Sequence, residues 1–222
     1  MPQQLKIDFV SDVACPWCII GLRGLQEALN RTAGVVRADV EFQPFELNPD
    51  MPAGGQDLAE HIAQKYGSSA EESQANREMI RARAAGVGFD YNIAGHGRIY
   101  NTFDAHRLLH WAKGQGRQQP LKLALFKAYF TDNANVSDPQ VLIATAVAAG
   151  LDEQAARDVL VSGRYAKEVR DAEQLWMSRG ITSVPAIVIN EKWLISGGQP
   201  ADAFERALRE IAVELSATGP QA

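Results

Sequence analysis

Cysteine is nearly absent from this sequence. There are two among 222 residues, Cys15 and Cys18. That rules out a multi-bridge disulfide framework of the kind that staples small secreted domains. Long apolar runs are also missing, and nothing approaches the roughly 18 residues that cross a bilayer. Positive charge is not in surplus. Lys and Arg number 22 against 27 Asp and Glu, a formal net charge of −5, which argues against a surface built to neutralise nucleic-acid phosphates. No P-loop or dinucleotide fingerprint occurs. The N-terminus lacks the basic start and apolar core of a secretory signal. Met1 to Gln4 is short and polar and leads straight into a strand pattern. The expectation is therefore a cytoplasmic protein with neither membrane nor nucleic acid as partner. In a reducing cytoplasm a purely structural disulfide is rare.

The sequence does hold enough apolar residues for a core that needs no staples, 46% against 22% charged. "LKIDFV" alternates Leu5, Ile7 and Phe9 with Lys6 and Asp8, the period of a strand. Cys18, Leu22, Leu25 and Leu29 then form one stripe of a helix, with Gly34 as its expected stop. "ADVEFQPF" alternates again. From Pro44 to about Gly180 the strand signal fades, and about six helices are expected. The clearest runs from Asp138 as N-cap, with Pro139 at the first helical position, to Gly150 as stop. "PAIVIN" and "KWLIS" then read as a hairpin across "NEK". "PADAFERALREIAVEL" closes as a helix, and the tail "SATGPQA" is expected to fray. Neither end alone carries enough strands for a stable sheet. The layout βαβ…ββα therefore predicts one discontinuous α/β domain, residues 1–46 and 181–222. A large all-helical insertion, 47–180, includes the long connecting helix back to the sheet.

The chemistry centres on "SDVACPWC". Cys15 falls just before the first helical turn, and Pro16 at the first helical position, where its missing N–H costs nothing. Cys18 lies one turn on, on the same side and within disulfide reach. The two sulfurs are not equivalent. Unpaired N–H groups and the macrodipole at the helix mouth favour negative charge on Cys15, which makes it the nucleophile. Cys18 continues the apolar stripe and suits the resolving role that thiol–disulfide exchange requires. Two other readings stand beside this one. The pair could be half of a zinc site completed by His106 and His110, four apart on one helix, or two inert core thiols. A C-x-x-C that follows a strand and opens a helix in an α/β chain favours redox chemistry.

Far downstream, Pro185 directly precedes the strand "AIVI", a position where a missing ladder donor is tolerated. Val184 before it is held extended. Together "SDVACPWC", "PFELNPD", "NTFDAHRL", "GITSVPAIVIN" and "ISGGQP" resemble the thioredoxin superfamily. More closely, they resemble its DsbA-like, FrnE-type cytoplasmic dithiol-disulfide oxidoreductases and isomerases. The resemblance spans nearly the whole chain. It implies a thioredoxin-like fold with a helical insertion and a cis Val184–Pro185 bond packed beside the two cysteines. It also implies that the Val184 backbone receives the substrate as an added strand. The same architecture is shared by kappa-class glutathione transferases and 2-hydroxychromene-2-carboxylate isomerases. Those enzymes carry serine where this chain has Cys15 and lack the second thiol. The implied partners are proteins or peptides bearing thiols or disulfides, with glutathione as a candidate co-substrate. No organic cofactor or metal is required.

Secondary candidates are Asp12, His106 and Gln199. Asp12 would relay the proton that Cys18 loses, or simply bond its own loop backbone. His106 would face the cleft and steady a substrate carboxylate or the thiolate, or satisfy itself locally. Gln199 would sit at the far lip of the cleft or serve only its loop. Asn101 is an N-cap candidate. Trp17 is expected partly exposed beside Cys15, with Trp111, Trp176 and Trp193 in the core. His96 is given no role. Neither the direction of exchange nor the oligomeric state is written in these residues.

Overall fold

The computed structural model describes residues 2–52, 54–92 and 97–218. His96 and the last four residues of the tail lie outside the described residues. The first strand, β1 (Gln3–Ser11), leads through a short loop into α1 (Pro16–Arg31), which returns to β2 (Val36–Pro44). The chain closes with β5 (Ala186–Ile189), β6 (Trp193–Ser196) and α9 (Ala201–Thr218). These four strands form one sheet in the order β2-β1-β5-β6. β1 runs parallel to β2, from Gln3 opposite Val36 to Ser11 opposite Pro44. It runs antiparallel to β5, with Ile7 opposite Ile189 and Val10 opposite Ala186. The two ends of the sequence thus meet in a thioredoxin-like sheet.

The period-2 patterns divide the strands between two cores. Leu5, Ile7, Phe9, Ile187 and Ile189 pack with Leu22 and Leu25 of α1 and Phe204, Leu208 and Ile211 of α9. The alternate residues Val10, Ala186 and Val188 pack with Trp176 and Ile181. Between β2 and β5 lie β3 (Gln56–Asp57), α2 (Leu58–Tyr66), α3 (Ala70–Gly86), β4 (Arg98–Ile99), α4 (Phe103–Gly114), α5 (Gln118–Phe126), α6 (Pro139–Ala148), α7 (Glu153–Ser162) and α8 (Ala166–Ser178). The described insertion therefore holds seven α-helices against the six expected, and a two-residue strand pair. α5 also runs on into a π-helical turn over Lys127–Thr131.

Caps explain most boundaries. The Asp138 carboxylate accepts from Gln140 N, with Pro139 at the first position, and Asp152 accepts from Ala155 N. α1 ends earlier than Gly34, because both the N–H and the hydroxyl of Thr32 bond back to Ala28 O. Asn101 is not the N-cap of α4. Thr102 holds that position, while Asn101 Oδ1 accepts from Phe103 N. Trp193 is half-buried rather than core, its indole N–H donating to Glu214 Oε2. Ser216 does not fray. It stays within α9, and its hydroxyl donates to Ala212 O at 2.8 Å.

One close approach governs where α1 sits. The "GGQP" loop crosses α1 backbone against backbone. A Cβ on Gly24 would lie 2.6 Å from Gln199 O, and one on Gly198 would lie 2.7 Å from Trp17 O. Both distances are below what real Cβ contacts reach, and both obstacles are main chain. Gly24→Ala is therefore expected to destabilise the fold by about 1–3 kcal/mol, as overpacked sites do. A Cβ on Gly34 would meet nothing within 4 Å, so Gly34→Ala is expected to stay within about 0.5 kcal/mol. Urea unfolding of the two variants checks the contrast.

Candidate active site

Cys15 is the N-cap residue of α1, extended at φ −95° and ψ 112°, with Pro16 beginning the helix. Pro16 lacks the N–H that would be orphaned there, so the turn closes one residue later, with Cys18 N donating to Cys15 O at 3.0 Å. Cys15 is 3% exposed. Its Sγ lies 3.5 Å from Val184 O, and the Val184–Pro185 peptide is cis. A Cβ on Gly21 would stand 3.3 Å from Pro185 Cγ, so this proline lies directly against α1. Two segments 169 residues apart in sequence thus meet at one sulfur. Trp17 is partly exposed and packs against the core edge.

Cys18 is fully buried, and both cysteines are free thiols. Burial, then a hydrogen bond and the charge of the neighbouring Cys15, push the Cys18 thiol well above its ordinary range, opposed by Lys122. The asymmetry suits a resolving cysteine, which gives up its proton only while attacking.

Asp12 is also buried. Its Oδ1 accepts from Ala14 N at 3.2 Å and its Oδ2 from Leu47 N at 2.7 Å. His106 Nε2 lies 3.5 Å from Oδ1, and Thr102 adds a side-chain bond. Burial alone would raise the Asp12 carboxyl, but His106, Leu47 and Thr102 together hold it below the usual carboxylate range. Asp12 does bond its own loop, yet it also ties that loop to the insertion. His106 is 2% exposed, so no substrate carboxylate reaches it. It is not locally satisfied either, since Nε2 has no well-formed hydrogen bond. Gln199 Nε2 donates to Ser196 O at the end of β6, three residues back. The His110 ring packs on Tyr165 with centroids 5.1 Å apart. Among the described residues no three His, Cys, Asp or Glu side chains converge as metal ligands, so the proposed zinc set is not brought together.

Several residues of the site escaped the reading of the sequence. Lys122 on α5 is fully buried, its Nζ without a hydrogen-bond partner and 5.0 Å from the centre of the Phe126 ring. Burial pushes it down to about 8, against the opposing charges of Cys18, Asp12 and Cys15. Beyond His106, Glu46 and Glu173 share Arg170, and Asn101 Nδ2 donates to Glu46 Oε1. Burial and the Glu173 charge raise Glu46, while Arg170 opposes; burial also raises Glu173. Helical period carried a signal for two of them. Lys122 falls on the stripe of Leu125 and Phe126, and Glu173 on that of Val169 and Trp176, where a charge is out of place.

Two stability predictions follow from these burials. The Asp12 carboxyl is held below its unfolded value, so its contribution is present above about pH 4 and lost as pH falls through the folded value. Asp12→Asn is expected to cost about 2 kcal/mol at neutral pH, with the gap to the native protein narrowing in acid. Lys122 titrates lower folded than unfolded, so its charge destabilises the fold at neutral pH. Lys122→Met is expected to gain about 3 kcal/mol there, the gain shrinking as pH rises from about 8 toward 10. Urea titrations across pH measure both.

The sequence pattern of the DSBA-like thioredoxin domain matches residues 6–209. A probable DsbA oxidoreductase from Streptomyces coelicolor superposes with a TM-score of 0.90 at 35% identity, covering 98% of this chain and 93% of that one. The cytosolic disulfide reductase DsbM of Pseudomonas aeruginosa shares the fold, with a TM-score of 0.65 at 15% identity over 95% of this chain and 100% of that one. The uncharacterized protein YwbO of Bacillus subtilis is 26% identical over 207 residues, 93% of this chain and 96% of that protein. The chain belongs to the DSBA-like thioredoxin domain family.

Proposed function

We propose that this protein is a thiol–disulfide oxidoreductase or isomerase of the FrnE type. It works by dithiol–disulfide exchange at Cys15-Pro16-Trp17-Cys18. The observation that carries the reading is the meeting of Cys15 Sγ with Val184 O, 3.5 Å apart at a cis proline. A mixed disulfide on Cys15 would there lie alongside backbone able to pair with an extended peptide. Trp17 offers apolar surface beside it. Cys15 attacks a substrate sulfur and the substrate's other sulfur leaves as a thiolate. Cys18 then loses its proton, attacks Cys15 Sγ, and releases the substrate dithiol; in the oxidised protein the same steps run in reverse, a substrate thiolate attacking Cys15 Sγ and displacing the Cys18 thiolate. In this reading residues 1–46 and 181–222 form the redox unit, and 47–180 roof the cleft and select partners.

The partner pool in this reading is that of a reducing cytoplasm: proteins and peptides with thiols or disulfides, and glutathione as co-substrate. Both cysteines of the chain lie in the site, so neither is committed to a structural crosslink. Cysteine rather than serine at position 15, with a second thiol behind it, favours exchange over a glutathione-dependent isomerase or transferase.

The test is reduction of a mixed-disulfide peptide coupled to glutathione. Cys15→Ser is expected to abolish turnover. Cys18→Ser is expected to accumulate a covalent adduct at Cys15, seen by mass spectrometry. Native protein that does not turn over, together with a Cys18→Ser variant that forms no adduct, would sink the reading.

A further inference from the structure

Lys122 has no evident reason to be charged. Its Nζ is buried without a hydrogen-bond partner, and the face of Phe126 is weak compensation for lost water. The opposing charges that reach it are those of Cys18, Asp12 and Cys15. Asp12 is already engaged by Ala14 N, Leu47 N, Thr102 and His106. The other titratable groups lining the cavity against Lys122 are Glu41, His106, His110 and Lys113. Lys113 is paired with Glu41 at 2.6 Å, and His110 packs on Tyr165. The charge left without a fixed partner is therefore the one that appears when the dithiol ionises.

The lysine is also fixed in place. One turn before it, the Gln118 amide exchanges two hydrogen bonds of 2.9 Å with the main chain of Phe42, one to its N–H and one to its C=O. α5 is thereby locked to β2, which pairs with β1, the strand that leads into the cysteine loop, and His106 of the same cavity lies 3.5 Å from Asp12 in that loop.

We propose that Lys122 is the fixed counter-charge of the dithiol, favouring the reduced, ionised pair over the disulfide and so biasing the site toward oxidising its partners. The inference rests on the exchange reading and gives it a direction. Two small thiols reducing Cys15–Cys18 supply two electrons and become a disulfide. Of their two protons, one goes to Cys18 and one to solvent, and Cys15 is left anionic. In that state the Lys122 ammonium gains a second anion besides Asp12, so the protein accepts the electrons more readily. Lys122 touches no substrate in this scheme. It is a positioning residue acting through the two sulfurs.

The experiment compares native protein, Lys122→Met and Lys122→Arg in two measurements. The first is the equilibrium with reduced and oxidised glutathione. Lys122→Met is expected to shift it about tenfold toward the protein disulfide, about 30 mV for a two-electron couple, and Lys122→Arg to recover most of that. The second is the rate of Cys15 alkylation in reduced protein at neutral pH, which requires no exchange. It is expected to fall about tenfold in Lys122→Met and to recover in Lys122→Arg. Unchanged alkylation in Lys122→Met overturns the counter-charge, and so does a shift that the arginine fails to restore. If native protein does not equilibrate with glutathione yet alkylation falls as expected, the exchange reading fails and the counter-charge stands.

Discussion

Asp12 brings three separate lengths of chain to one point. Its carboxylate accepts the N–H of Ala14 in the loop that delivers Cys15, and the N–H of Leu47 where the chain enters the insertion. It also faces Thr102 and His106 at the start of α4. A buried carboxylate is costly unless its oxygens are engaged, and here the engaging groups come from both halves of the fold. The entry at Leu47 and the start of α4 are thus tied to the conformation of the cysteine loop. Displacing either strands a charge in a dry place.

Polar strain gathers around that point. Four buried side-chain atoms lack a hydrogen-bond partner among the described residues, and three of them belong to His106, Lys122 and Glu173. His106 faces Asp12 directly, the charges of Cys18, Asp12 and Cys15 are felt at Lys122, and the Asp12 charge is felt at Glu173. Folds satisfy buried polar groups almost everywhere. A cluster of exceptions around Asp12 is a sign that charge there serves chemistry rather than stability.

Much of this was legible in the sequence. The two-residue period of "LKIDFV" and the short apolar run "AIVI" placed the strands, and the Asp138-Pro139 cap placed α6, because those signals are local. The cysteine pair opening a helix was legible for the same reason. What could not be read was which distant groups converge. Asp12 looks like a loop residue until Leu47 and His106 arrive from 35 and 94 positions away. Gln199 reads equally as a lip of the cleft or as a loop residue, and its amide donates to Ser196 O, three residues back. Lys122 and Glu173 stood on apolar stripes, yet a stripe does not say what its misplaced charge faces.

The glycine crossing of α1 has a mechanical consequence. Where two main chains touch at Gly24 and Gly198, no side chain lies between them to bend or change rotamer. The segment bearing both sulfurs cannot slide along its own axis without dragging the stretch that follows β6. Interconversion of thiol and disulfide must then proceed by rotation about the Cα–Cβ bonds of the two cysteines inside a stationary frame, a cycle whose moving parts are two atoms wide.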